Sequence, residues 1–343
     1  MKRTGHLYEK IFDLKNIEEA LLETCEHKSK RRIVQKIKAD PKHYAKEIKR
    51  MLEEGFFPSP PKRFERRDPG SGKIRKICSV PLYPDQAIHR LAVNVMRESI
   101  VRGMDTHCVG CVPGRGCNAG MKAVRKWARK SRKKRIWVIK ADVYHYYENI
   151  DRDKLFDMLE TVIKDKRFLV FLWNITSIEP KGLAIGVYSS PWLANFYLQG
   201  IDHFLKEKAG LKHVARNVDD YVWMDPSKRR LLRAKAAADG ELAKLGLKLK
   251  PDWRIFALKG NDVDFVGYRI HYDGKVTIRK RTWKKLRRDC LIAKHHRLSV
   301  KRARSLLSRM GYAMNSNGRK IFEKYLDGKT VRKAKEIAKK EDK

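Results

Sequence analysis

Apolar positions recur at helical spacing through the first fifty residues. Leu7, Ile11, Leu14 and Ile17, followed by Leu21-Leu22, predict helix within residues 7–55, and a second helix over about Ile33–Leu52 stops at Gly55. Pro58–Pro61 break that pattern. Phe64–Arg67 and Lys73–Cys78 flank Asp68-Pro69-Gly70-Ser71-Gly72 and predict a β-hairpin. Pro84-Asp85 then open a long helix with Ala87, Ile88, Leu91, Ala92 and Val95 on one face. A glycine-rich loop covers 107–120, a helix Met121–Arg135, and a short apolar strand Trp137–Val143. Helices are expected at 153–175, Pro191–Lys206 and 229–245, and a strand–turn–strand at His213–Met224 around Asp219-Asp220. Asp264–Ile270 and Lys275–Ile278 read as strands, and the basic remainder as helix. No internal repeat is evident. Helices mixed with short hairpins predict an α+β fold.

Charge changes the picture more than composition does. The 343 residues carry 80 Lys+Arg against 40 Asp+Glu, so 80 − 40 gives a net charge of +40. With 42% apolar residues and 7 Trp, 13 Tyr and 12 Phe, the chain has a core to bury and is not a disordered polycation. Its length suggests about two domains. A charge this large calls for a polyanionic partner, and nucleic acid is the default; small neutral metabolites are poor candidates as substrates. There is no run of 18 apolar residues, so no membrane span is expected, and the Met1–His6 start lacks the pattern of a signal peptide. Six cysteines give no disulfide framework, and a reducing, cytoplasmic setting is expected.

Two features point to chemistry. Asp142 ends an apolar strand and precedes Val143-Tyr144-His145-Tyr146-Tyr147. Asp219-Asp220 interrupt the apolar run Val218 to Val222. Acids in such places are costly to bury unless a cation compensates them. Phosphoryl transfer needs carboxylates that hold Mg²⁺ beside the attacking and leaving oxygens. Taken singly, Asp142 reads equally well as a strand end, and Asp-Asp is a common dipeptide.

The order of segments resembles the reverse transcriptases. Val138–Asp151 is similar to the family's first catalytic motif, Gly182–Leu198 to the second, and Asn217–Val222 to the double-Asp motif. Gly246–Lys250 and Phe265–Arg269 match the two that follow, and Gly72–Ile77 and Pro84–His89 the fingers motifs. The resemblance spans about residues 60–270. It implies a right-hand polymerase: a helical N-terminal extension at 1–60, fingers at 61–135, a palm of antiparallel sheet plus helices at 136–270, and a helical thumb with a basic tail at 271–343. It implies an RNA-directed DNA polymerase in which Asp142, Asp219 and Asp220, with the Val143 carbonyl, hold two Mg²⁺ ions (Mn²⁺ as substitute). Lys73 and Arg75 would grip the incoming triphosphate, since a guanidinium fork suits phosphate oxygens. Tyr147 would be the steric gate against a 2′-OH. Ile185 and Gly186 would lie at the incoming nucleotide, Ser190 at the template–primer, and Val266-Gly267-Tyr268 would form the primer grip. Lys248 and Lys250 are equal candidates to protonate pyrophosphate.

Other segments carry second readings. Fourteen Lys/Arg and one acid between Gly274 and Tyr312 fit a thumb on duplex phosphates, and Lys122–Arg135 either contacts template RNA or is a solvated face. His107, Cys108, Cys111 and Cys117 have zinc-like spacing, but Gly110–Gly116 is similar to a fingers-loop motif that needs no metal. Length and content suggest a compact prokaryotic or phage enzyme. The residues Met1–Ile11 and Ile185-Gly186 are similar to diversity-generating retroelement enzymes, implying error-prone copying of a dedicated RNA into cDNA with a small accessory protein. Ser190-Pro191, Asn217 and Ala184 depart from that subgroup and fit a defence-associated enzyme using a structured non-coding RNA. A catalytically inactive RNA-binding scaffold of the same fold is the remaining alternative.

Overall fold

The computed structural model describes residues 3–67, 72, 74–130, 135–296 and 298–339, with Lys320 and Ile321 described by backbone alone. Along the chain run α1 (Leu14–Cys25), α2 (Arg32–Ala39), α3 (Pro41–Glu53), β1 (Lys62–Arg67), β2 (Ile74–Ser79), α4 (Ala87–Val101), α5 (Cys117–Lys130), β3 (Trp137–Asp142), α6 (Tyr146–Asn149), α7 (Arg152–Glu160), α8 (Lys166–Thr176), α9 (Ser190–Tyr197) and α10 (Gln199–His203). There follow β4 (His213–Asn217), β5 (Asp220–Asp225), α11 (Lys228–Lys244), β6 (Arg254–Ala257), β7 (Asp262–Phe265), β8 (Tyr268–His271), β9 (Val276–Ile278), α12 (Lys280–His295), α13 (Val300–Met314), α14 (Arg319–Tyr325) and α15 (Gly328–Lys339).

These elements fall into two units, each built from separated stretches of chain. The first comprises residues 1–112, 143–204 and 237–250. Ile17 and Leu21 of α1, Val34 and Ile37 of α2, Ile48 of α3, and Ile88, Leu91 and Ala92 of α4 are buried in it. α1 packs on α3 and α4. The single helix expected over Ile33–Leu52 is two, because Asp40 caps α3 by accepting from His43 N at 3.0 Å and Pro41 occupies its first turn. The helix expected at 153–175 is likewise α7 and α8. Asp165 caps α8 by accepting from Phe168 N at 3.2 Å, and it also accepts from Leu7 N and Tyr8 N at 2.8 Å, fixing the N-terminal segment. The expected hairpin is present as antiparallel β1–β2.

The second unit comprises residues 113–142, 205–236 and 251–343. Its centre is an antiparallel sheet of order β4-β5-β3-β6, beside a smaller sheet β7-β8-β9. The expected strand Asp264–Ile270 is a tight hairpin, with Phe265 opposite Tyr268 and Val266-Gly267 as its loop. α5 lies against β4 and β8, and α13 against β9. The C-terminal helices bury Leu286, Ala303 and Leu306 among themselves, and Asp289 pairs with Arg309.

Candidate active site

The three carboxylates come together in the second unit because of strand register. In the β3–β5 pairing Asp142 stands opposite Asp220. In the β4–β5 hairpin Asn217 stands opposite Asp220, so Val218-Asp219 form a two-residue loop. Paired residues of antiparallel strands share a sheet face, so Asp142 and Asp220 project to one side at the strand ends and Asp219 sits on the adjoining turn. All three are half-buried.

The turn is strained. Val218 has φ +60°, a left-handed value that a β-branched side chain rarely adopts. Such a turn persists only when its surroundings over-determine it. Arg216 supplies part of that support: it is 1% exposed and donates from Nη1 to the Val218 carbonyl at 2.9 Å. Its guanidinium lies 5.8 Å from the Tyr221 ring centroid. Sequence reading passed over Arg216 because one more arginine in a basic chain carries no signal.

Lys140 is the second residue missed. It lies two residues before Asp142 on the same strand face, and its ammonium pairs with Asp220. Burial pushes its pKa down to about 8, against the upward pull of Asp142, Asp264 and Asp219. A lysine therefore already compensates one of the three acids. Lys140 also lines an open cleft of about 810 Å³ between β6 and the β7–β8 hairpin.

Hard carboxylate oxygens at adjacent strand ends suit a divalent ion of the Mg²⁺ type. Among the described residues no three acidic, His or Cys side chains close into a cage. Mg²⁺ takes one or two carboxylates and completes its shell with water and substrate phosphate. Of the residues with zinc-like spacing, Cys108 is buried and Cys111 and Cys117 are exposed.

The primer-grip candidates also lie in the second unit. Val266 and Gly267 have φ +46° and +89°, the pattern of a two-residue hairpin loop. Val266 and Tyr268 are buried, so this loop presents backbone to solvent more than side chains.

In the first unit, Arg75 and Ile77 lie on one face of β2, since residues two apart share a face. A Cβ on Gly186 would meet Ile77 Cγ2 at 3.1 Å and the Cys78 carbonyl oxygen at 2.6 Å. Cys78 N donates to Ile185 O at 2.8 Å. Both faces of β2 therefore meet this loop: Ile77, on the Arg75 face, lies against Gly186, and Cys78, on the other, is buried with Ala184 and Val187. Tyr147 is half-buried on α6, with its ring 5.7 Å from that of Tyr146, and its carbonyl accepts from Leu183 N at 2.8 Å. Gly186 is exposed, whereas Ser190 is buried at the start of α9. Val143, next in the chain after Asp142, bridges to Leu249 in this unit. Lys73 lies outside the described residues.

The loop is stitched to the residues that lead into α4. Gln86 Nε2 donates to Gly186 O at 2.9 Å, and its Oε1 accepts from Tyr188 N at 3.2 Å. His89 Nδ1 and Ser189 Oγ are hydrogen-bonded at 2.9 Å in the core. The Arg90 guanidinium stacks 3.9 Å from the Tyr188 ring centroid. Gln86 and His89 were legible only as members of a motif, and Arg90 lies just past it; their partners lie about a hundred residues away.

Comparison with known proteins gives the family. Residues 61–270 match the family model described as reverse transcriptase (RNA-dependent DNA polymerase). The group II intron-encoded protein LtrA of Lactococcus lactis is 25% identical over 211 residues, covering 57% of this chain and 34% of LtrA. Protein YkfC of Escherichia coli is 24% identical over 170 residues, covering 46% of this chain and 44% of YkfC. The chain thus spans about a third to under half of these relatives' lengths. Among solved structures, a telomerase from Candida albicans in complex with a TWJ fragment of telomeric RNA aligns with TM-score 0.52 at 10% identity, covering 83% of this chain and 67% of that one. Apo telomerase from Candida tropicalis aligns with TM-score 0.51 at 13% identity, over 81% and 60% of the two chains. These likenesses show the α+β, right-hand polymerase fold class expected from the sequence. With the family model matching well over half of its length, the chain belongs to the reverse transcriptase family.

Proposed function

We propose that the protein copies a dedicated RNA template into cDNA by metal-assisted nucleotidyl transfer. The observation that carries this reading is the register that sets Asp142 opposite Asp220 with Asp219 on the adjoining turn. Two Mg²⁺ ions, or Mn²⁺ in their place, would supply Lewis-acid stabilisation of the attacking and leaving oxygens. Asp142 and Asp219, with the Val143 carbonyl on the family resemblance, would hold them. Asp220, paired with Lys140, keeps the third charge beside the site without demanding its own ion. The primer 3′-oxygen bonds to the α-phosphorus, the bond to pyrophosphate breaks, and the hydroxyl proton leaves to solvent or a base. Lys73 and Arg75 grip the triphosphate, Tyr147 excludes the 2′-OH, Ile185 and Gly186 border the incoming base, and Ser190 with Val266, Gly267 and Tyr268 orders template and primer. These assignments rest on motif order. The basic helices α5 and α12 serve as phosphate-binding surfaces for RNA and cDNA.

Ile185 favours a diversity-generating role with a small accessory protein. An aliphatic side chain cannot hydrogen-bond near the nascent pair, so a misshapen pair is penalised less. The departures at Ser190-Pro191 and Asn217 are compatible with the second reading, a defence enzyme that copies a structured non-coding RNA. One assay tests both levels: primer extension on a defined RNA with Mg²⁺ and dNTPs, followed by sequencing of the cDNA. Asp142→Asn or Asp219→Asn abolishes synthesis and leaves RNA affinity largely unchanged, because affinity comes from phosphate contacts elsewhere. Full activity in either variant overturns the assignment. Errors concentrated at one template base support diversity generation; uniformly accurate cDNA moves the reading to defence.

A further inference from the structure

The Val266-Gly267 loop is too strained to hold itself in place. Two consecutive left-handed residues suit a tight hairpin when they are Gly, Asn or Asp, and the first here is valine. What fixes the loop comes from two distant parts of the same unit. A Cβ on Gly267 would meet Tyr312 Cε1 at 2.7 Å, so the α13 ring lies directly on the loop backbone. The rings of Tyr312 and Tyr268 are 5.1 Å apart at 44°. On the other side the Tyr268 hydroxyl donates to Asn118 Oδ1 at 2.7 Å. Asn118 begins the basic helix α5, whose Arg125 Nε donates to the Gly274 carbonyl at 3.0 Å beyond β8.

We propose that Tyr312 and Asn118 are positioning residues that seat the 266–268 loop, so that α13 and α5 together set where the loop meets the primer end. This rests on the primer-grip reading of the loop. The ring of Tyr312 acts by contact with Gly267, and its hydroxyl is hydrogen-bonded with the Cys117 side chain at the start of α5. Asn118 acts through its acceptor oxygen, so Tyr268→Phe and Asn118→Ala remove the same hydrogen bond and are not additive.

The test uses the full-length protein with an RNA template and a DNA primer ending in 4-thiothymidine, crosslinked by light and mapped by peptide mass spectrometry. In the unaltered protein the crosslink falls on the peptide containing residues 266–268. In Tyr312→Ala it weakens several-fold, and products made per binding event under a trap shorten, while the KM for dNTP in single-nucleotide addition is unchanged. Tyr312→Phe, which keeps the ring on Gly267 and loses only the Cys117 contact, retains most of the crosslink and product length. A crosslink absent from the unaltered protein overturns the primer-grip reading itself. A crosslink equally strong in Tyr312→Ala, with unchanged product length, overturns the seat alone. If Tyr312→Ala does not fold, Asn118→Ala and Tyr268→Phe decide it: unchanged crosslinking and product length in both overturn the proposal.

Discussion

At the scale of single residues, the informative side chains are polar groups buried beneath the loops that carry the motifs. His89 is the clearest. Burial holds its imidazole neutral and pushes its pKa down to about 3 from an ordinary 6.5. The unfolded chain takes up a proton below about 6.5 that the folded chain refuses, so this group's stabilisation is intact above that pH and lost progressively as pH falls toward 3. By pH 5 the loss is on the order of 2 kcal/mol. The expectation is that urea midpoints of the native protein fall more steeply between pH 7 and pH 5 than those of His89→Gln, whose amide can still reach Ser189 but does not titrate. Parallel slopes would show that the ring is already accessible to protons. Arg216 and Lys140 belong to the same class. Each is a cation held by one local geometry, a carbonyl at 2.9 Å for Arg216 and the Asp220 carboxylate for Lys140. In a chain with 80 Lys and Arg, composition hides both.

At the scale of elements, Gly186 in the loop between α8 and α9 admits a close backbone approach that Gly55, after α3, does not. Gly186 has φ +121°, and a Cβ there would stand 2.6 Å from the Cys78 carbonyl oxygen. Gly55 has φ +88° with nothing within 4 Å. Gly55→Ala therefore meets only the backbone term, about 1 kcal/mol. Gly186→Ala meets that and a backbone clash, so a loss of roughly 2–4 kcal/mol and a raised KM for dNTP are expected. Chemical denaturation of the two variants side by side checks the difference, and equal losses would mean the loop yields freely. The carboxylate-bearing strands were legible in the sequence because β3 and β5 are short, apolar and end in acids. β6 was not, since Arg254-Ile255-Phe256-Ala257 is four residues long and half-exposed. The breaks at Asp40-Pro41 and Asp165 carried visible cap signals that continuous apolar periodicity overrode. The seat of the 266–268 loop was illegible for a different reason: Asn118 and Tyr268 are 150 residues apart in the chain, and no local pattern announces such a pair.

At the scale of the whole molecule, a charge of +40 raises the question whether polyanion binding reflects a general field or discrete contacts. Helix α5 carries a surface on which discrete contacts can be tested. Lys122, Lys126 and Lys130 recur every four residues along α5 and all are exposed, so they form one stripe on a helix fixed to the motif-bearing sheets by Asn118 and Arg125. A lysine that neutralises a phosphate releases a counterion, and each such contact on a single strand adds about 0.7 to the slope of log affinity against log salt. A field acting at a distance adds little to that slope once salt shortens the Debye length to about 10 Å. Replacing the three lysines with Gln is therefore expected to lower the magnitude of the slope by about 2 for single-stranded RNA. Removing the same charge at the exposed Lys10, Lys15 and Lys42 of the first unit supplies the comparison. The measurement is RNA affinity by fluorescence anisotropy across a salt series. A slope that falls only in the α5 variant assigns the stripe to RNA phosphates. Equal changes in both variants would mean that net charge alone draws the RNA in and that α5 is a solvated face.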